Sequence, residues 1–302
     1  MKILLTGATG FLGTHLARLL VAAGHDVACL RRADSSQGAL DAGHRTFRCD
    51  DSNDSDAAIA RAFAEHRPDV TIHLAAHFVA EHRPDDVVPL IRANIEYGAR
   101  VLDAMTDQGC TAMVWAGTSW QHYHDRAYCP VNLYAATKQA FSTLAEYYLD
   151  ARGLRLLELH LYDSYGEDDP RGKLLSLIKS AARDAVNIDM SDGHQRMHLV
   201  HVDDLARGFM LAAAQVLAQT PGSRRVYRLP STQAVSLREL VETFNRVHPD
   251  RPVHAHWGRR PARAREVTQP WQDAPVLPGW APAIDLAEGL MRLMTDTETQ
   301  RP

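Results

Sequence analysis

The sequence predicts an α/β protein: a doubly wound parallel sheet, with a smaller α/β part towards the C-terminus. Three observations carry that reading. Short apolar runs alternate with segments of helical period through the first half of the chain. A glycine turn, Thr6-Gly7-Ala8-Thr9-Gly10-Phe11-Leu12-Gly13, follows the first run and leads into the first helical segment. The alternation loosens after Gly166, where strands shorten and helices crowd between them.

Residues 3–6 read as the first strand, and 14–23 as a helix with Leu16, Leu19 and Leu20 on one face. Residues 26–30, 45–49 and 70–74 read as three further strands. A long helix is expected over 87–108, a fifth strand over 112–116, a helix over 134–151 and a sixth strand over 154–161. Strands separated by helices pair in parallel through right-handed crossovers. Further on, 199–202 and 226–229 read as strands among helices at 204–217, 237–247 and 286–294. The stretch 249–282 is rich in Pro, Arg and Trp and has little period. This organisation places a nucleotide-binding domain at 1–166. A mainly substrate-binding part follows at 167–302, with some segments returning to the first sheet.

Composition narrows the class. The chain has 302 residues, 45% of them hydrophobic, enough for a sizeable core. A formal charge of −4 with no basic block gives no reason to expect nucleic acid as a partner. The apolar runs are too short for a membrane span. Cys29, Cys49, Cys110 and Cys129 are scattered, as in a reduced, cytoplasmic protein. The sixteen histidines show no ligand spacing, so no metal is expected. His73 and His160 fall on strands and read as core residues, whereas His77, His122 and His124 fall near the strand ends.

Gly7, Gly10 and Gly13 stand between a strand and a helix, the context a dinucleotide-binding Rossmann domain requires. The first allows a sharp turn, the second clears space for a pyrophosphate, and the third lets the helix pack close. The amides of Phe11, Leu12 and Gly13 at the helix start suit an anion. The second strand ends in Arg31-Arg32 where an NAD-selective site carries Asp or Glu. Guanidinium groups grip a 2′-phosphate, so NADP(H) is the expected cofactor, although both arginines have a plain reading as solvated residues. Asp50, at the end of the third strand, is a candidate for the adenine amino group.

Tyr134 and Lys138 are spaced to share one helix face. An ammonium there favours phenolate and lowers the tyrosine pKa, which suits acid–base work. Gly117-Thr118-Ser119 precedes the pair at a strand end, the edge where such sheets gather their catalytic groups.

Together these residues resemble the extended short-chain dehydrogenase/reductase family, in its nucleotide-sugar branch. The resemblance extends through His73-Leu74-Ala75-Ala76, Asn94, Tyr165-Gly166, His201-Val202-Asp203-Asp204 and Pro278-Gly279-Trp280-Ala281-Pro282. It is nearest to 4-ketoreductases of nucleotide-bound 4-keto-6-deoxy sugars, such as the CDP-abequose and CDP-paratose synthases. The resemblance implies Tyr134 as the acid and Lys138 as its tuning group and ribose ligand. Ser119, with Thr118 as the alternative, is implied as the carbonyl's donor. Leu74, Ala75 and Ala76 would lie along the cofactor, and Asn94 behind Lys138. It further implies a homodimer through the 134–151 helix and the long helix before it, with Phe141, Leu144, Ala145 and Tyr148 at interface spacing.

Departures from the family pattern matter as much. Dehydratases of this branch follow the catalytic Ser/Thr with Asp-Glu; here stand Trp120 and Gln121, and neither is a general base. Epimerase/reductases place a Cys where Gln121 stands. Asp163 replaces a customary Asn, and Met197 falls where a phosphate-binding Arg is usual. His77, Gln121, Asp163, Lys173, Arg196, Arg263 and Arg265 are the candidate substrate residues. The expected activity is NADPH-dependent reduction of the C4 ketone of a nucleoside-diphosphate 4-keto-6-deoxyhexose. The rivals are an NAD-dependent 4-epimerase and a dinucleotide-binding sensor without turnover, which the Tyr134/Lys138 pair argues against.

Overall fold

The computed structural model describes residues 1–32, 44–49 and 55–294. Five consecutive parallel strands form the first part of the sheet: β1 (Lys2–Thr6), β2 (Asp26–Arg32), β3 (Arg45–Cys49), β4 (Val70–His73) and β5 (Ala112–Thr118). Helices α1 (Phe11–Ala22), α2 (Ser55–His66), α3 (Val87–Ile91) and α4 (Tyr97–Asp107) run between them. α5 (Leu133–Arg152) leads into β6 (Arg155–Leu161). Short strands β7 (Asp163–Tyr165), β8 (Ile188–Asp189), β9 (Arg196–Met197) and β10 (Leu199–His201) follow, with α6 (Leu174–Asp184) among them. The chain closes with α7 (Val202–Leu217), β11 (Arg224–Leu229), β12 (Val235–Ser236), α8 (Leu237–Val247), β13 (Ala255–His256) and α9 (Leu286–Leu293).

The main sheet has the order β11-β6-β5-β4-β1-β2-β3, parallel throughout. Strand order reverses between β1 and β4, so a crevice opens there at the strands' C-terminal ends, where such sheets take ligands. The strand formed by 224–229 comes from the second half of the chain and extends this sheet through six paired positions, Arg224–Leu156 to Leu229–Leu161.

Both faces are covered, and the strands accordingly read as apolar runs. Leu16 and Leu20 of α1 and Phe209 of α7 bury one face. Phe63, Leu102 and Phe141, from α2, α4 and α5, bury the other beside Trp115. Each fully buried side chain of this size is worth about 1.5–3 kcal/mol. A third cluster, including Ile178, Leu240, Phe244 and Leu290, holds the C-terminal part together. Among the described residues no helix is long and apolar enough to cross a membrane.

Two expected elements differ in detail. The first helix begins at Phe11 rather than residue 14, because Gly10 takes an extended N-cap conformation directly before it. The long helix is interrupted by a π-turn at Arg92–Glu96. Such a turn inserts a residue into the helical ladder, and here it contains Asn94, which is buried.

Candidate active site

The glycine turn is a cradle made by missing side chains. Gly7 has φ +73°, and a Cβ on it would lie 2.6 Å from the Ala75 amide nitrogen. A Cβ on Gly13 would lie 2.0 Å from the Gly7 carbonyl oxygen. β1, the strip after β4 and the first turn of α1 therefore meet backbone to backbone. Thr6 Oγ1 ties the strip down, contacting His73 Nδ1 at 2.8 Å and accepting from the Ala75 amide at 3.2 Å. Gly10 offers no side chain to cap α1. The amides of Phe11, Leu12 and Gly13 thus remain for an external anion. A dinucleotide pyrophosphate fits this cradle, with Leu74, Ala75 and Ala76 alongside. Within β2, Arg31 turns inward and is buried while Arg32 is exposed. Asp50 lies outside the described residues.

Tyr134 and Lys138 stand in the first two turns of α5, which Asn132 caps by accepting from the Ala135 amide at 2.9 Å. Lys138 is 2% exposed, with Nζ 4.8 Å from the centroid of the Trp115 ring and 5.9 Å from that of Tyr134. Burial pulls its pKa down to about 7, against the charge of Glu158. The phenol is not lowered as its spacing from Lys138 suggested. Burial pushes Tyr134 well above the ordinary phenol range, opposed only by the charge of Arg171. A phenol in that state holds its proton. Phe78 meets Tyr134 edge-on at 5.0 Å and leans on Trp120 at 5.9 Å.

Ser119 opens the turn after β5 and is nearly buried. Thr118 Oγ1 is engaged as that turn's cap, accepting from the Trp120 amide at 3.3 Å. Gln121, expected at the substrate, is instead an internal brace. It is fully buried, accepts from the Thr118 amide at 3.0 Å and donates to Gln139 at 2.9 Å.

Asn94 serves the loop after β4 and Thr137, the residue before Lys138. It donates to the His77 carbonyl at 3.0 Å and to Thr137 Oγ1 at 2.9 Å, and accepts from the His77 amide at 2.7 Å. One amide side chain thereby locks the loop bearing Phe78 to the helix bearing Tyr134. His73 is the core residue its strand position implied, stacked on Phe141 and held neutral by burial and by Lys138.

The cations expected at the substrate separate into two groups. Lys173 Nζ lies 4.9 Å from the Phe78 ring, beside the site, and Asp163 is near enough to act on its charge. Arg196 is occupied: it pairs with Glu239 at 3.4 Å and donates to the Ala234 carbonyl. Arg263 pairs with Glu81 at 3.2 Å, and Arg265 lies over Tyr123 with a contact to Cys129. These two arginines thus pin the 259–265 loop to segments flanking the site. Met197 packs against the C-terminal cluster.

Sequence reasoning missed several neighbours. Arg171 lies 4.4 Å from the Phe11 ring, held by Asp169 and Ser164. Trp271 stacks on His122 at 3.9 Å. Phe78, 41% exposed beside Tyr134, carries no motif. Pro170 and Gly172 flank Arg171 in the sequence, but nothing local indicates what its side chain reaches.

On α5, Phe141, Ala145 and Tyr148 are buried within the chain, so they are not the interface positions their spacing suggested. The outward face carries Gln139, Ala140, Thr143, Leu144 and Tyr147, next to Tyr128.

Known proteins agree with this architecture. The model of the NAD dependent epimerase/dehydratase family matches residues 3–227. The CDP-abequose synthase of Yersinia pseudotuberculosis is 26% identical over 248 residues, spanning 82% of this chain and 84% of that protein. The dTDP-glucose 4,6-dehydratase of Streptomyces griseus is 26% identical over 314 residues, spanning 95% and 91%. The crystal structure of UDP-glucose 4-epimerase from Brucella ovis with NAD superposes with a TM-score of 0.83 at 22% identity, covering 96% of each chain. With the cradle, the tyrosine–lysine helix and the parallel sheet all matched by one family model, the chain belongs to the NAD dependent epimerase/dehydratase family, the extended short-chain dehydrogenases/reductases.

Proposed function

We propose that this protein reduces the C4 ketone of a nucleoside-diphosphate 4-keto-6-deoxyhexose to a hydroxyl, using NADPH. The observation that carries the reading is the state and setting of Tyr134. Its phenol is held protonated by burial, and its ring packs against Phe78, which leans on Trp120 and offers no acid or base. Reduction of a ketone needs one proton donor, whereas elimination of water needs an acid and a base. The Trp120-Gln121 pair supplies neither.

NADPH held in the Gly7–Gly13 cradle would supply the hydride that such a reduction needs. Ser119 donates a hydrogen bond to the ketone oxygen, where negative charge develops. Tyr134 passes its phenolic proton to the same oxygen, which becomes the new hydroxyl. Lys138 balances the phenolate left behind. Arg31 and Arg32 take the 2′-phosphate, and Lys173, with Asp163 near it, and His77 face the sugar nucleotide. The outward face of α5 is the proposed contact of a homodimer, with Tyr128, Leu144 and Tyr147 as its apolar residues.

The competing reading is a 4-epimerase that retains NAD, and the NAD complex of the Brucella ovis 4-epimerase favours it. One experiment separates the two. Purified protein given NADPH and a nucleoside-diphosphate 4-keto-6-deoxyhexose should consume both in equal amounts and carry no tightly bound dinucleotide. Retained NAD, with interconversion of 4-hydroxyl epimers and no net NADPH loss, would establish the epimerase instead.

A further inference from the structure

Glu158 is a fully buried carboxylate on β6 that the chemistry above does not use. Three elements fix it. Ser142 Oγ, one turn beyond Lys138 on α5, donates to Oε1 at 2.8 Å. Arg224 of β11 donates from Nε to Oε1 at 2.7 Å and from Nη2 to Oε2 at 3.2 Å. His160 of β6 contacts Oε2 through Nε2 at 3.2 Å, and its Nδ1 meets His122 Nε2 at 3.0 Å. Burial opposes ionisation here, but His160 and Arg224 outweigh it and hold the carboxyl below its ordinary range.

The carboxylate stands between two cations. Glu158 is in register with Trp115 of β5, and residues in register on parallel strands point to the same face. Lys138 Nζ sits over that Trp115 ring. Lys138 and Ser142 share a face of α5, being one turn apart. Arg224 therefore approaches Glu158 from the β11 side and Lys138 from the β5 side. Arg224 is shared with Glu146 of α5 at 3.2 Å. On β4, His73 faces the Lys138 charge as a neutral ring. Among the described residues no carboxylate forms an ion pair with Lys138 itself.

We propose that Glu158 is a positioning residue for the Tyr134–Lys138 pair: its charge, acting across the interface between α5 and the sheet, keeps Lys138 an ammonium in a site shielded from water. The catalytic consequence rests on the reductase reading, while the coupling of charges does not. Burial has already brought Lys138 to about 7, with the Glu158 charge resisting. Loss of that charge leaves a neutral amine at working pH and nothing to balance the phenolate.

The chain has four lysines, Lys2, Lys138, Lys173 and Lys179. Isotope-labelled lysine side chains therefore give four titrating NMR signals, and Lys138→Met identifies the relevant one. Glu158→Gln should lower the Lys138 midpoint by about one pH unit or more, a differential interaction of roughly 1.4 kcal/mol. Arg224→Gln removes both a cation and a partner that holds Glu158 ionised, so the midpoint should move, upward where Glu158 stays ionised and downward where it takes a proton. Ser142→Ala, which keeps every charge, should leave it near the wild-type value. The limb of the kcat–pH profile that follows Lys138 should move in step with each midpoint. Midpoints that stay fixed in folded Glu158→Gln and Arg224→Gln proteins overturn the proposal. Arg224 is partly exposed, so its variant decides the matter if Glu158→Gln does not fold. Midpoints that shift as stated in a protein that reduces no sugar ketone would sink the reductase reading and leave this coupling standing.

Discussion

The two ends of the crevice are built by opposite means. At the glycine turn the site exists because side chains are missing, and backbone meets backbone at distances that no Cβ would tolerate. Around Tyr134 it exists because side chains crowd: Phe78 packs on its ring and leans on Trp120, and Lys138 lies near both that ring and Trp115. The first end recognises a ligand shape common to many enzymes. The second tunes a proton. A site made by absence tolerates no addition, whereas a site made by crowding tolerates trimming and loses its chemistry.

The largest effect tests the first end. Gly13→Ala forces a methyl group against the Gly7 carbonyl, where only backbone could yield. Dinucleotide binding should be lost in fluorescence titration, and overpacking should cost about 1–3 kcal/mol in thermal unfolding. Near-normal binding would break the contrast at once. At the crowded end, Tyr134→Phe keeps the ring and removes the proton. Turnover should fall at least about a hundredfold, with NADPH binding nearly unchanged by calorimetry.

Smaller effects sharpen the comparison. Arg31→Ala should weaken NADPH roughly tenfold or more and NADH much less, since a charge-assisted phosphate bond is lost. Equal losses for both cofactors would remove the case for a 2′-phosphate contact. Stability should also report the buried ammonium. Lys138 titrates near 7 in the folded chain but in the ordinary lysine range when unfolded, so the unfolded state binds more protons between those values. Its contribution to stability therefore rises with pH across that window, and Lys138→Met should flatten the slope in urea melts. The smallest effect on activity is expected from Leu144→Glu on the outward face of α5, which should shift sedimentation from dimer towards monomer while leaving the protein folded. A wild-type monomer would remove that interface.

How much was legible in the sequence follows the same division. Gly7, Gly10, Gly13, Tyr134 and Lys138 were readable because spacing along one strand, turn or helix determines where they lie. The strand alternation was readable because buried parallel strands are apolar on both faces. Gln121 misled because the family pattern places a catalytic side chain there, while its amide is spent on Thr118 and Gln139. Arg196 misled similarly, being drawn to the start of α8 by Glu239. Phe78, Arg171 and Trp271 were invisible because each meets its partner across a long sequence separation, and no period or motif encodes such a meeting. The raised Tyr134 phenol was hidden for the same reason: burial is a property of the assembled site.

The pairing of β11 with β6 carries a practical consequence. Six positions and the Arg224–Glu158 bond stitch residues 224–229 to the edge of the nucleotide-binding sheet. A fragment ending at Gly166 would expose a raw hydrogen-bonding rim along β6 and leave a buried anion short of its guanidinium partner. Such a fragment, made alone, should be sticky and poorly soluble. Supplied with the complementary polypeptide, it should regain order, which makes this seam a natural cut point for a split, reassembling version of the protein.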